Sequence, residues 1–184
     1  MRVLFLILLS CFCCQGQFAI AQDNAKKDTA TEKLLSYEEV SSVMGTELQI
    51  RVLGPDLAEL KLAVKAAFAE LKRVEDMMTT WRSSPLMTLN SQAGQGYQQV
   101  PKELAQIIAR AKSVGRVSKY AFDISFFGVG KLWDFKAKPP KLPKAEEIAK
   151  ALKVVNAKAI QVKLDTSQVL LPAGMKIGLG GIAK

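Results

Sequence analysis

The sequence predicts an α+β domain with a mixed or antiparallel sheet and amphipathic helices, and three observations carry that prediction. Residues 46–53 alternate, with Leu48, Ile50 and Val52 on one face and Glu47, Gln49 and Arg51 on the other, the period of a half-buried strand. Leu57, Leu60, Val64, Ala67, Phe68, Leu71, Val74 and Met78 recur at helical spacing along one side. Strands and helices then follow one another without repeating as strand–helix–strand units, which argues against a doubly wound parallel sheet.

Taken in order, the chain opens on a targeting pattern. Arg2 precedes the apolar run 3–14, and Ala19-Ile20-Ala21 fits small-x-small cleavage, so residues 1–21 read as a signal peptide and the protein as exported. The run is too short for a spanning helix. Leu8-Leu9-Ser10-Cys11 is also similar to a lipoprotein box, in which lipidated Cys11 would give membrane association, facing the periplasm from the inner membrane. Release after Ala21 into the periplasm is the preferred expectation. All three cysteines fall in this segment, so stability of the remainder rests on packing. Residues 22–33 read as a solvated linker and 34–184 as the domain.

Gly54-Pro55 ends the strand, and Asp56 with Glu59 forms a capping-box pattern for a helix over 57–78. Residues 79–99, rich in Ser, Gly and Gln, read as loop. Pro101 suits the first turn of a second helix, whose apolar side is Leu104, Ile107, Ile108, Ala111 and Val114. The proline-containing stretch 136–143 is a surface connection, and a third helix over 145–153 is expected to turn Ile148, Ala149 and Leu152 inward. Ile160, Val162 and Leu164 alternate as a strand, Asp165-Thr166-Ser167 turns, and 169–171 returns as a hairpin partner.

Composition excludes several functions. With 49% hydrophobic and 23% charged residues the chain has a core and is not disordered. Its 26 Lys plus Arg against 17 Asp plus Glu give +9, which attracts anions. The basic residues are scattered, and the aromatics do not interleave with arginine, so no nucleic-acid partner is expected. The absence of histidine, and of cysteine after the signal, removes Ser-His-Asp and Cys-His catalysis and imidazole or thiolate metal sites. Hard-metal chemistry on oxygen ligands remains.

Four groups of residues carry the functional reading: Met44-Gly45-Thr46; Met78-Thr79-Thr80-Trp81 with Ser84 and Asn90; Ala121-Phe122-Asp123 with Leu132-Trp133; and Gly178-Leu179-Gly180-Gly181-Ile182-Ala183-Lys184. The last leaves the backbone free to approach a ligand and ends in a lysine suited to phosphate, the pattern of a nucleotide site. In order and spacing the four together resemble the FAD:protein FMN transferase family, often called ApbE, with its T-fold-like domain. The resemblance implies an enzyme that binds FAD with Mg²⁺, moves FMN onto a Thr or Ser hydroxyl of a partner protein and releases AMP. It implies flavin-nucleotide contacts by Met44, Trp81, Ala121, Phe122, Asp123, Gly178 and Lys184, and a metal contact by the Gly181 carbonyl. No catalytic side chain is assigned. Core packing is the alternative role for Met44, Phe122 and Trp133, and a turn or helix cap for Asp123.

Two departures stand out. Gly178 occupies a position where the family usually has an aspartate, the loss of a charged hydrogen bond worth about 1.5–3 kcal/mol where it exists. The Asp and Thr or Ser that complete the metal site in the family lie beyond Lys184, so the chain alone is expected to be inactive, as a piece of a longer product or a truncated remnant. Met175, Ile177, Leu179 and Ile182 are expected to be left exposed for a following element to cover. Alternatives to transfer are FAD hydrolysis to FMN and AMP, or flavin binding and storage without chemistry.

Overall fold

The computed structural model describes residues 34–134, 137–139 and 142–183, so the expected signal peptide and linker, and Lys184, lie outside the described residues. β1 (Leu35–Val43) and β2 (Thr46–Gly54) form an antiparallel ribbon in register from Leu35↔Gly54 to Val43↔Thr46. Met44 and Gly45 join them with φ of +52° and +71°. Two left-handed residues make a type I′ turn, whose twist matches that of the strands. β2 is the predicted strand. β1 carries no predicted element: only Val43 of it is buried, so no alternation marks it in the sequence, and its place is set by pairing with β2.

Asp56 starts α1 (Leu57–Met78), accepting the Ala58 and Glu59 N–H groups at 2.6 and 3.2 Å. The helix has the predicted bounds. It lies along the ribbon, where Val43, Leu60 and Val64 are buried, and its far end enters the main core through Met77.

Residues 79–99 are not a plain loop. Ser84 caps α2 (Pro85–Ser91), accepting the Met87 N–H at 3.0 Å, Pro85 fills the first turn, and Leu86 and Leu89 are buried; β3 (Tyr97–Gln99) follows. α3 (Lys102–Val117) forms where predicted, with Leu104, Ile108 and Ala111 inward, but Pro101 is its N-cap and not in its first turn, and Val114 is exposed. A 3-10 turn at Ile124–Phe126 leads into the short α4 (Phe127–Gly130).

α5 (Ala145–Leu152) departs from expectation on its faces. Ile148 is half-buried, but Ala149 is exposed and Leu152 is 48% exposed, because the helix lies on the surface and buries no residue fully. β4 (Gln161–Lys163) and β5 (Gln168–Leu170) make the predicted hairpin, and β5 is the central strand of an antiparallel sheet ordered β3-β5-β4.

The apolar tail overturns its expectation most clearly. Met175, Ile177 and Leu179 are 1%, 0% and 0% exposed, and Ile182 is half-buried: the segment threads through the core as an extended chain. Its alternate residues point inward while its polar backbone needs partners. Asn90 supplies them. The side-chain amide donates to the Ile177 carbonyl at 2.9 Å, and its oxygen accepts the Ile177 N–H at 2.8 Å. The Gly178 N–H donates to Ile124 O at 3.0 Å.

Asn90→Leu keeps the branched heavy-atom outline, adds bulk, and strands both Ile177 backbone groups in the core. Each such group costs about 1–3 kcal/mol, so urea denaturation should show a loss of roughly 2–6 kcal/mol; a neutral result would mean that the clasp is dispensable.

Arg73 on α1 binds Glu70 on its own helix and Glu103 on α3, at 2.8 Å to each. Hydrogen bonds from this guanidinium hold both carboxyls below their usual range. A lowered folded value adds stability above the unfolded pKa, lost as pH falls through the folded one. Acidification from about pH 6 to about pH 3 should therefore lower the urea midpoint more in the native chain than in Arg73→Met, and added salt should narrow the gap because these groups are exposed.

Candidate functional site

A cavity of about 290 Å³ opens where four segments meet: Met44 and Gly45 of the hairpin turn, Glu75 and Met78 of α1, Thr79, Thr80 and Trp81 after it, and Gly180 and Ala183 of the glycine loop. Met44 is half-buried and left-handed, a conformation that costs a non-glycine residue about 1–2 kcal/mol. Turn geometry alone favours Asn or Gly there, so the methionine side chain is accounted for by the cavity and not by the turn.

Trp81 forms an outer wall and is 85% exposed. Its loop is pinned from beneath. Ser84 Oγ donates to Thr79 O at 2.7 Å, and the Trp81 N–H donates to Thr79 Oγ1 at 3.3 Å. The Lys131 ammonium stands 5.7 Å from the Trp81 ring centre and 5.0 Å from that of Phe127, so a positive charge sits beside the indole.

The glycine loop closes on itself: Leu179 O accepts the Ile182 and Ala183 N–H groups at 2.9 and 2.8 Å. A Cβ on Gly180 would meet nothing within 4 Å, so the loop keeps that part of the cavity wall open. The Gly180 and Gly181 N–H groups have no backbone partner among the described residues. Phe122 packs over the loop, 3.1 Å from where a Gly181 Cβ would stand.

Asp123 faces the other way. Its Oδ1 accepts the Ser125 N–H at 2.7 Å and the Ser125 hydroxyl at 2.5 Å, and its Oδ2 accepts the Ala157 N–H at 3.1 Å. Ser125 Oγ in turn accepts the Asn156 N–H at 2.9 Å. The carboxylate caps the 3-10 turn and ties it to residues 156–157, the cap role its sequence context left open. Ala121 is exposed, and neither it nor Asp123 lines the cavity. Trp133 is half-buried, likewise outside the lining. Met44 and Trp81 thus meet at the cavity with Gly180 and Ala183 of the glycine loop, whereas Gly178, Gly181 and Phe122 are not on its lining.

The ApbE family model matches residues 44–184. The chain belongs to the ApbE family. Among solved structures, an ApbE protein of Thermotoga maritima is 26% identical, with 81% of this chain aligned to 48% of that one and a TM-score of 0.71. The flavin transferase ApbE of Vibrio cholerae is 19% identical over 82% of this chain and 50% of its own, with a TM-score of 0.70. The Pseudomonas stutzeri flavinyl transferase ApbE, apo form, is 19% identical over 82% and 48%, with a TM-score of 0.67. These likenesses bear out the α+β fold, and the chain spans about half the length of each of these solved relatives. No curated protein sequence matches the chain significantly.

In this ApbE chain the glycine at 178 has a physical cause. A Cβ there would lie 2.7 Å from Phe127 Cδ2 and 2.8 Å from Cγ, inside van der Waals contact, so the Phe127 ring occupies the space an aspartate side chain needs. The metal expectation is also constrained. Among the described residues no three Asp, Glu, His or Cys side chains come together to hold an ion.

The sequence reading overlooked Glu75, which lines the cavity with Met78 and Thr79 at positions i, i+3 and i+4 of one helical face. The sequence shows only a carboxylate adjoining an apolar stripe at the end of a helix, which does not by itself mark a site.

Gly178→Ala should cost about 1–3 kcal/mol by forcing the Phe127 ring aside. In a double-mutant cycle read by urea denaturation, Phe127→Ala should cancel most of that cost; simple additivity would show that the ring does not exclude the side chain.

Proposed function

We propose that this chain carries the flavin-nucleotide-binding part of a FAD:protein FMN transferase. The single observation behind the reading is the cavity between Met44, Trp81 and the glycine loop, in a chain of the ApbE family. Trp81 offers a planar face for a flavin or adenine ring, and Gly180 leaves room for the ligand to pass close to the backbone. Lys131 and the glycine-loop N–H groups are cationic or dipolar partners for phosphate.

In the reaction proposed, the hydroxyl oxygen of a Thr or Ser on the acceptor protein attacks the phosphorus of the FMN half. The P–O bond to AMP breaks, AMP leaves with the bonding pair, and the hydroxyl proton passes to a base or solvent. Catalysis of this kind is mostly positioning and charge neutralisation. Magnesium dependence belongs to the proposal through the family resemblance alone, and no step is derived through the ion. Export, with cleavage after Ala21 or lipidation at Cys11, is proposed from residues 1–21. Among the described residues no helix is long and apolar enough to cross a membrane.

A second reading, flavin binding without transfer, is favoured by the carboxylate that Phe127 excludes at position 178. FAD pyrophosphatase activity is the hydrolytic variant, with water as nucleophile.

Titration of FAD fluorescence quenching tests the site. The chain should bind FAD, and Trp81→Ala should weaken binding roughly tenfold or more by removing the stacking face. Met44→Asn should raise the melting temperature, through relief of about 1 kcal/mol of turn strain, while lowering affinity. Unchanged affinity in both variants would move the site elsewhere. For activity, the gene's complete product with FAD, Mg²⁺ and an acceptor protein should add an FMN mass to the acceptor; free FMN alone would select hydrolysis, and bound intact FAD would select storage.

A further inference from the structure

We infer that Glu75 is a ligand-binding residue that selects a planar heteroaromatic ring with an N–H on its edge, by accepting a hydrogen bond from that N–H inside the cavity. The inference rests on the flavin-nucleotide reading and deepens it, since it says which chemistry of the ligand the cavity reads.

The cavity's size limits what enters. At about 290 Å³ it is at the lower end of the range for whole small-molecule sites, and it holds one ring system, not an entire dinucleotide. Its walls are mainly apolar, with Met44, Met78 and Ala183 around the Trp81 indole. The Thr79 hydroxyl oxygen already accepts the Trp81 backbone N–H, which leaves its O–H to donate. Glu75 is the acidic residue on the lining, and its side chain is 21% exposed. A carboxylate accepts and never donates, so a ligand edge presented to it has to bring a donor or leave acceptor oxygens on the wall unmatched.

On the protein side Glu75 has one loose ionic partner. Asp76, the adjacent carboxylate, is paired with Lys72 and Arg82. Glu75 has Arg82 at 3.8 Å, a looser approach than the one that guanidinium makes to Asp76. Glu75 also stands in the last turns of α1, where the negative end of the helix dipole repels a carboxylate and no basic residue offsets it in the last turn. A charge kept against the dipole, on the wall of an apolar cavity, is explained by what the cavity holds.

Two ends of FAD share this chemistry: the flavin ring through its imide N–H and adenine through its amino group. Isothermal titration with paired probes separates them, riboflavin against 3-methylriboflavin and AMP against its N6,N6-dimethyl analogue, on the native chain, Glu75→Gln and Glu75→Ala. The native chain should prefer the unmethylated member of one pair by about tenfold or more, the scale of a charged hydrogen bond. That pair identifies the ring in the cavity. Glu75→Ala should erase the preference, and Glu75→Gln should reduce it without lowering the melting temperature, since it relieves the dipole repulsion. A merely structural glutamate would give the reverse, a lower melting temperature with ligand preference intact. If the native chain binds a probe but ignores methylation, or Glu75→Ala keeps the preference, this inference falls alone. If the native chain binds neither riboflavin nor AMP, the flavin-nucleotide reading falls and takes the inference with it.

Discussion

The side chain of Asn90 closes on the main chain of Ile177 across 87 positions of sequence, and the placement of the glycine loop follows from that pair. An extended segment buried in a core has to find partners for its peptide groups, and no strand of either sheet reaches this one. Asn90 acts as a one-residue substitute for a neighbouring strand, giving both the donor and the acceptor that a ladder would give. With Ile177 fixed, Met175 and Leu179 on either side reach the core and Gly180 arrives at the cavity wall. Stability and the shape of the cavity wall therefore share one amide group.

Other residues that carry the family resemblance turn out to be supports. Ser84 both caps α2 and holds the Thr79 carbonyl, which sets the loop that presents Trp81. Asp123 and Ser125 join the 3-10 turn to the chain at residues 156–157. The half-buried Phe122 backs the glycine loop. The wall of the cavity is then built from residues whose types are chemically plain, such as Met44, Met78 and Thr79, held at the right place by polar residues that stand behind it.

What was legible in the sequence follows from what each element depends on. β2 and α1 are specified by their own periodicity, so their bounds could be read directly. β1 depends on a partner strand and buries only Val43, and α2 is a seven-residue helix amid polar neighbours, so local pattern was too short or too weak to reveal them. The serine–proline start of α2 was present in the sequence but was outweighed by composition. In the tail, alternation of Met175, Ile177 and Leu179 was visible, yet what covers them is a matter of tertiary packing from α2 and the 3-10 turn. For the site, Met44, Trp81 and the glycine loop could be grouped by resemblance. The carboxylate of Glu75 entered only once the helix face was known to line the cavity.

The contact between Phe127 and Gly178 binds two distant positions into a single hereditary unit. A mutational route that restores a carboxylate to the loop has to shrink the ring beforehand, since the reverse order passes through an overpacked intermediate. Across descendants of such a chain the two sites should change in tandem, bulky with glycine or small with acidic, and their correlation would trace the geometry of this corner without any further coordinates.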